Sequence, residues 1–333
     1  MLPLLDIKGL RVVAGPESRA VVDGVNLQVA PGTTLGLVGE SGSGKSLTAK
    51  AVLGLLPFGC RIVDGSIRVD GSELVSLGSK QMNAFRGKTI GLIPQNAVTS
   101  LNPLMSVGRQ IGAVLRNQGL SRHATKLRTA ELLAELRLPE PAAMSKRYPH
   151  ELSGGTAQRV VAAAALAANP KLLIADEPTS SIDPVAQVQF LNLLGSIQTR
   201  RALGIVLITH DIGIVARACD EVVVMYAGRV MESGSVQNVL GRSQHPYTRA
   251  LLESAPTGAN ANVPLVPIPG QPMSGGIIGN ACPFAARCGA VFDRCRIEAP
   301  PLLIVSPGHM SSCWLVDNRT TEIKRAQASA ELA

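Results

Sequence analysis

The sequence predicts an α/β fold around a largely parallel sheet, with an antiparallel β portion at the N-terminus and a helical segment in the middle. Strand-like apolar runs alternate with helical patterns in the second half of the chain, which is typical of a parallel sheet. The first 38 residues carry short strand patterns separated by Gly, Pro and Asp turns. Between residues 100 and 150 apolar residues recur every three or four positions, which predicts helices.

Three strand patterns open the chain, LLDIKGL, AVVDGVNLQV and TTLGLV, and the last runs into a glycine-rich loop. A helical pattern from Ser46 to Leu56 follows, and we expect it to stop at Pro57 because a proline ring is incompatible with a continuing helix. The strand patterns IRVDG and TIGLIPQ come next. The glycine-rich loop therefore lies between a buried strand and a helix.

Strands and helices alternate after the helical segment ends at Pro149. A helix is expected from Ser153, then the strand KLLIADE, a helix from Pro184, the strand IVLITH, a helix and the strand EVVVMYAG. From about residue 256 Pro, Gly and Cys dominate, which marks a linker. The predicted organisation is a main domain at 1–255 with a helical subdomain at about 100–160, a small cysteine-rich module at 256–320 and a disordered tail at 321–333.

Length and composition narrow the class of protein. The 333 residues suffice for one large domain and an appendage. The longest apolar runs, such as 160–168, are about half the ~20 residues that a membrane helix needs. The N-terminal residues lack the basic start of a secretory signal, so we expect a cytoplasmic protein. The net charge of +8 is scattered and aromatics make up only 3%, which argues against nucleic-acid binding.

The glycine-rich loop GESGSGKS fits the phosphate-binding pattern G-x-x-x-x-G-K-[ST]. Its glycines let backbone N–H groups point at phosphate oxygens, and the following helix N-terminus adds partial positive charge. Lys45 is expected to reach the β- and γ-phosphates, and the Ser46 hydroxyl to bind Mg²⁺. The expected phosphate-binding residues are Gly39, Glu40, Ser41, Gly42, Ser43, Gly44, Lys45 and Ser46.

The strand KLLIADE ends in two acids that suit nucleotide hydrolysis. Asp176 would hold Mg²⁺ through water, and Glu177 would orient the attacking water and accept its proton. Just upstream, LSGGTAQR places Ser153 as a helix cap before Gly154 and Gly155, whose bare amides could bind an anion. In isolation SGG is typical of an ordinary capped helix, but the acidic strand about twenty residues later favours the anion site.

In this order, the phosphate loop, LSGGTAQR and KLLIADE resemble the ABC (ATP-binding cassette) ATPases, which implies a RecA-like core. The resemblance gives roles to two more residues: Gln95 in LIPQNAV is similar to the glutamine that touches Mg²⁺ and water, and His210 in LITHD to the histidine at the γ-phosphate. It also implies that Ser153, Gly154 and Gly155 contact ATP bound to a second subunit, and that SSIDP crosses the dimer interface.

Five segments, among them LLIADEPT at 172–179, narrow the resemblance to the dipeptide, oligopeptide and nickel importer ATPases, which have paired D- and F-type subunits. The other four are TSLNP, YPHELSGG, HPYTRALL and the cysteine-bearing tail, whose spacing is similar to that of D-type subunits. The resemblance implies a peripheral ATPase at the cytoplasmic face of the inner membrane that powers peptide uptake. Its implied partners are an F-type ATPase, two permease subunits and a solute-binding protein. Nickel or metallophore uptake stays open, as does a soluble ABC ATPase unconnected with transport.

Four cysteines fall at the spacing C-x5-C-x6-C-x17-C, namely Cys282, Cys288, Cys295 and Cys313. Four thiolates can bind a zinc ion or a [4Fe–4S] cluster, and unrelated buried cysteines are a third interpretation. The resemblance to D-type subunits implies the iron–sulfur cluster. His309 is a possible spare ligand.

The segment RVVAGPE departs from many ABC ATPases, since it has no aromatic residue to stack on adenine. An apolar contact from Val12 or Val13 is the alternative that we expect.

Overall fold

The computed structural model describes residues 2–180, 182–255, 267–273 and 280–317. Its strands are β1 (Leu5–Ala14), β2 (Arg19–Val29), β3 (Thr34–Val38), β4 (Cys60–Val69), β5 (Ser72–Glu73), β6 (Ile90–Ile93), β7 (Leu172–Asp176), β8 (Gly204–Thr209), β9 (Glu221–Tyr226), β10 (Arg229–Ser235), β11 (Leu303–Ser306) and β12 (His309–Ser311).

Twelve α-helices lie within the described residues. They are α1 (Lys45–Val52), α2 (Ser79–Phe85), α3 (Ala97–Ser100), α4 (Val107–Asn117), α5 (Arg122–Glu135), α6 (Pro141–Met144), α7 (Gly154–Leu166), α8 (Pro184–Arg201), α9 (Ile212–Ala218), α10 (Val236–Gly241), α11 (Pro246–Glu253) and α12 (Asp293–Ile297).

The strands form two sheets, as the sequence predicts. The N-terminal sheet has the order β2-β1-β4-β5 and is antiparallel. The main sheet has the order β11-β12-β10-β9-β3-β8-β7-β6, and its strands from β9 to β6 are parallel. The central strands β3, β7 and β8 are buried along their whole length, because both faces of a parallel sheet are covered.

Two apolar cores cover the two faces of the parallel strands. One packs the helical region and α7 and α8 against the sheet, with Ile93, Ala175 and Leu207 facing it. The other packs the N-terminal sheet and α1 against the opposite face, with Leu37 and Ile208 facing it. The parallel strands are therefore packed between the N-terminal sheet and the helical region.

Helix α1 ends at Val52, four residues before the predicted end at Leu56. Gly54 has φ +59°, and the N–H of Leu55 donates to the carbonyl of Lys50 over 2.9 Å. This is the hydrogen-bond pattern of a glycine helix stop. Gly54 therefore ends the helix, because it adopts a left-handed conformation at little cost before Pro57 is reached.

Helices α7 and α8 begin where the sequence predicts. Ser153 precedes α7, and its hydroxyl accepts a hydrogen bond from the N–H of Thr156. Asp183 precedes α8, whose first residue is Pro184, and its carboxylate accepts from two backbone N–H groups of the first turn. Local capping chemistry fixes both starts.

The expected cysteine-rich module is not confirmed as a separate unit, because its described part joins the main sheet. Strand β12 pairs with β10, where Glu232 lies opposite Ser311. The Nε2 atom of His309 lies 2.8 Å from a carboxylate oxygen of buried Glu232, and His309 does not line the cysteine pocket, so it is not placed as a spare ligand. The predicted tail at 321–333 and most of the linker lie outside the described residues.

Among the described residues, no helix is both long and apolar enough to cross a bilayer.

Candidate functional site

The glycine-rich loop joins the end of β3 to the start of α1 and curls tightly against the sheet. Gly39 has φ +154°, Gly42 +80° and Gly44 +99°, so two of the three lie clearly in the region that favours glycine. A Cβ atom on Gly39 would stand 2.1 Å from the carbonyl oxygen of Met225. At Gly39 the loop can approach Met225 this closely only because it lacks a side chain there.

Lys45 lies under the loop and is 5% exposed. Its Nζ donates to the carbonyls of Gly39 (2.7 Å) and Glu40 (2.8 Å) and to the Ser43 hydroxyl (3.2 Å). Burial lowers the pKa of Lys45, while Glu177, Asp176 and Glu40 raise it. The ammonium group is thus held at the centre of the loop by the loop's own oxygens.

Ser46 and Asp176 bring two oxygens together at the same end of the sheet. The Ser46 hydroxyl donates to the Asp176 carboxylate over 2.9 Å. Burial raises the pKa of Asp176, the hydrogen bond from Ser46 lowers it, and the neighbouring Glu177 raises it. Hard divalent cations prefer oxygen ligands, so the donor set suits Mg²⁺.

Glu177 lies between two polar side chains from other loops. Its carboxylate accepts from the Gln95 amide over 3.1 Å and contacts the His210 Nδ1 atom over 3.1 Å. Its backbone has φ +45°, a strained conformation for glutamate that a hydrogen bond from its N–H to the Ile208 carbonyl (2.9 Å) supports. Gln95 and His210 are therefore both in contact with Glu177, and Gln95 does not bond to the Ser46 and Asp176 pair that it is expected to join at Mg²⁺.

All of these residues lie at or after the carboxyl ends of parallel strands. The phosphate loop follows β3, Gln95 follows β6, Glu177 follows β7 and His210 follows β8. The carboxyl edge of an open α/β sheet is where ligands bind in such folds. The parallel topology therefore assembles one site from four distant sequence segments.

The SGG segment lies in a different cleft. Ser153, Gly154 and Gly155 line a space of about 380 Å³ together with Arg159 and Asp183, and no residue of the phosphate loop lines it. Gly154 and Gly155 begin α7, so this space lies at the positive end of the helix dipole. The segment is thus separate from the phosphate loop of its own chain.

Val12 and Val13 are 0% and 3% exposed in β1. Neither side chain offers apolar surface to an adenine ring, so the expected contact is not available in this arrangement.

Sequence reasoning missed a contact between the phosphate loop and the C-terminal segment. The Arg287 guanidinium binds the Glu40 carboxylate through two hydrogen bonds of 2.6 and 3.0 Å, and the Glu40 N–H donates to the Tyr247 hydroxyl over 2.9 Å. Arg287 and Glu40 are 247 positions apart, so no local pattern could reveal the pair.

The four predicted cysteine ligands, Cys282, Cys288, Cys295 and Cys313, line one pocket. Burial raises the pKa of Cys282 to about 11 and that of Cys313 to about 12. The thiol chemistry fits a metal or cluster, but no group of three or more His, Cys, Asp or Glu in the described part of the chain is arranged to hold a metal ion.

Two family models match the chain in sequence order. The ABC transporter model matches residues 22–180, and the model of the oligopeptide/dipeptide transporter C-terminal region matches residues 231–295. Two solved structures share the fold of the main domain. CbiO1 of Clostridium perfringens, part of an ABC transporter complex, has a TM-score of 0.65 and 27% identity over 72% of this chain and 91% of its own. The ATP-binding cassette MJ0796, a dimer bound to ADP and phosphate, has a TM-score of 0.63 and 25% identity over 70% of this chain and 98% of its own.

Curated relatives are similar over nearly the whole chain. The oligopeptide transport ATP-binding protein OppD of Mycobacterium tuberculosis is 42% identical over 100% of this chain, which spans only 54% of that relative. The dipeptide transport ATP-binding protein DppD of Bacillus subtilis is 41% identical over 90% of both chains. OppD of Haemophilus influenzae is 41% identical over 95% of this chain and 98% of its own length. With relatives of this similarity and both models matched in order, the chain belongs to the ABC transporter family, among the oligopeptide and dipeptide transport ATP-binding proteins.

Proposed function

We propose that this chain is the ATP-hydrolysing subunit of an ABC importer for peptides. The observation that carries the proposal is the position of Glu177, which is bound by Gln95 and His210 at the same sheet edge as the phosphate loop. A carboxylate fixed in this way can take a proton from water beside a bound terminal phosphate. The names of the curated relatives, oligopeptide and dipeptide transport ATP-binding proteins, support peptide as the cargo.

In the proposed reaction, the loop amides and Lys45 bind the β- and γ-phosphates of ATP. Ser46 and Asp176 would hold Mg²⁺, with Gln95 as a predicted third ligand, and the ion would neutralise phosphate charge. Glu177 accepts a proton from water, whose oxygen forms the new bond to the γ-phosphorus while the bond to the β–γ bridging oxygen breaks. The products are ADP and phosphate. His210 orients Glu177 and the γ-phosphate.

A second ATPase subunit is part of the proposal. Ser153, Gly154 and Gly155 lie in a cleft apart from the phosphate loop, which supports their action on ATP bound to a partner. The dimeric state of the cassette MJ0796 supports the same arrangement. We propose an F-type subunit as this partner, so the chain alone should hydrolyse ATP slowly.

The proposed permease contact lies beside Gln95. Leu55, Leu92 and Pro94 line a groove there that also includes Gln95 itself. Phe58, on the loop that follows α1, has a fully exposed ring, and Leu55 is 45% exposed. Phe58 is three positions from Leu55 in the chain, and exposed apolar side chains are typical of a protein interface. Permease binding at this surface would hold the ATPase peripherally at the cytoplasmic face of the inner membrane.

Purification of the tagged chain from its native membranes tests this function. We expect two hydrophobic permease subunits and a second ATPase to co-purify with it. In intact cells, peptide uptake should depend on this complex and on its solute-binding protein. A complex whose solute-binding protein takes nickel or a metallophore would support the second candidate cargo. Recovery with DNA or ribosomes instead of permeases would contradict the proposal.

Replacing Phe58 with aspartate should lower permease recovery by roughly tenfold, since a charge would be buried at the interface. The folded chain should be unaffected because this ring is fully exposed. Ile304→Asp is the matched control, since Ile304 is 76% exposed on β11. Equal permease recovery with both variants would place the contact elsewhere.

For the four cysteines we propose a [4Fe–4S] cluster, with zinc as the alternative. Their common pocket and thiol chemistry support either group. To bind a cluster or a zinc ion, the four thiols must come closer together and lose their protons. Anaerobically purified protein should show visible absorbance, about four irons per chain and sulfide. Cys288→Ser should abolish these signals and Cys60→Ser should retain them, because Cys60 lies in β4 outside the pocket. A colourless protein with one zinc would support zinc, and a metal-free protein would refute both.

A further inference from the structure

We propose that Arg287, in the C-terminal segment, is a positioning residue for ATP binding, because it holds Glu40 of the phosphate loop in place. This inference rests on the proposed ATP site. It adds a dependence that the loop motif alone does not contain: the loop reaches its binding geometry only with the C-terminal segment docked on it.

The contact has the geometry of a strong ion pair. Two guanidinium nitrogens of Arg287 donate to the two carboxylate oxygens of Glu40, over 2.6 and 3.0 Å. The Arg287 side chain is 5% exposed and that of Glu40 is 20% exposed. A paired fork of this kind fixes direction as well as distance, and its partial burial limits screening by salt.

Arg287 is itself held by several groups besides Glu40. Its Nε atom donates to the Pro269 carbonyl over 2.7 Å, and a terminal nitrogen contacts the Tyr226 hydroxyl over 3.3 Å. Its guanidinium carbon lies 5.7 Å from the Tyr226 ring centre and 5.9 Å from that of Phe284. It ends the short 3₁₀ turn Ala285–Arg287, directly before Cys288 of the cysteine pocket. The side chain therefore presents its charge in one direction.

Glu40 passes this restraint to the phosphate-binding groups. Its backbone N–H donates to the buried Tyr247 hydroxyl, and its carbonyl accepts from Lys45 Nζ over 2.8 Å. One residue thus connects the C-terminal arginine, a tyrosine of α11 and the phosphate-binding lysine. Without Arg287, Glu40 would lose its anchor, and an unpaired carboxylate would remain beside the phosphates and repel them.

The test measures binding of N-methylanthraniloyl-ATP with Mg²⁺ to the full chain, together with thermal stability. Arg287→Met should raise the Kd by roughly tenfold. Arg287→Lys should have a smaller effect, because it keeps the charge and loses the fork. In the assembled transporter the KM for ATP should rise while kcat changes little, since Glu177 and its partners are untouched. If Arg287 had a purely structural role, its replacement would lower thermal stability without raising the KM for ATP separately from kcat.

Arg294→Met is the matched control. Arg294 belongs to the same segment, pairs with Glu298 and lies 3.3 Å from the Trp314 ring centre, but it does not contact the phosphate loop. The Arg294→Met variant should bind the nucleotide with the same Kd as the parent. Glu40→Gln should weaken binding, and the double variant with Arg287→Met should be no weaker than the single arginine variant, because both changes remove one interaction.

The outcomes separate this inference from the proposed function. A parent chain that binds no nucleotide would refute the function itself. If the parent binds nucleotide and folded Arg287→Met binds equally well, the inference is overturned. It is also overturned if the increases in Kd of the two single variants multiply in the double variant. Should Arg287→Met fail to fold, parent-like binding by both Arg287→Lys and Glu40→Gln would overturn it.

Discussion

Replacing Glu177 with glutamine is expected to lower ATP turnover by at least about 100-fold, the usual contribution of a general base. Glutamine keeps the shape of the side chain and an oxygen that can accept from Gln95. It loses the ability to take a proton from water. ATP binding should persist, because the phosphate loop, Lys45 and Ser46 are unchanged. Phosphate release by the assembled ATPase and nucleotide affinity, measured on the same preparation, check both halves of this result.

Glu131→Gln is the control for this variant, since Glu131 is an exposed carboxylate paired with Arg128 on α5. It should turn over ATP like the parent. Undiminished turnover by Glu177→Gln would remove the catalytic role of Glu177 and with it the observation on which the proposed function depends.

Replacing Lys45 with methionine is expected to weaken ATP binding by about 100-fold, as the loss of one or two charge-assisted hydrogen bonds to phosphate would do. Methionine has a similar length and stays compatible with a site that is 5% exposed. Because Nζ also bonds to Gly39, Glu40 and Ser43, the loop itself should loosen, so thermal stability should be measured beside the affinity.

Lys171→Met provides the comparison, since Lys171 forms an exposed ion pair with Asp70. Exposed pairs of this kind contribute little to stability, so this variant should behave as the parent. A folded Lys45→Met chain with an affinity within threefold of the parent would show that phosphate binding does not depend on this lysine.

Most of the fold could be predicted from local patterns. Buried runs such as KLLIADE and IVLITH became β7 and β8, and the caps Ser153 and Asp183 begin α7 and α8. Helix α1 ends before the boundary predicted from Pro57, because Gly54, whose positive φ stops the helix, comes first in the chain. A glycine within a helical pattern is ambiguous until its backbone conformation is known.

The candidate site, like the fold, could be predicted only in part from the sequence. Gln95 and His210 were identified through the resemblance to ABC ATPases, and the structure brings both to Glu177 because the carboxyl ends of neighbouring parallel strands meet at one edge. The pair of Glu40 and Arg287 could not be expected, because it joins a loop near the N-terminus to a turn near the C-terminus without any repeating pattern. The pairing of β12 with β10 was missed for the same reason. Long-range contacts between short irregular segments depend on tertiary packing, which periodicity does not report.

The most direct test of the proposed function is ATP hydrolysis by the complex of this chain with its co-purified ATPase and permease subunits. The complex is reconstituted in vesicles and assayed with and without solute-binding protein loaded with an oligopeptide. We expect ATP turnover that loaded binding protein stimulates, and loss of that stimulated turnover with Glu177→Gln. Stimulated turnover that persists in Glu177→Gln, or a complex that binds ATP but never hydrolyses it, would contradict the proposed function.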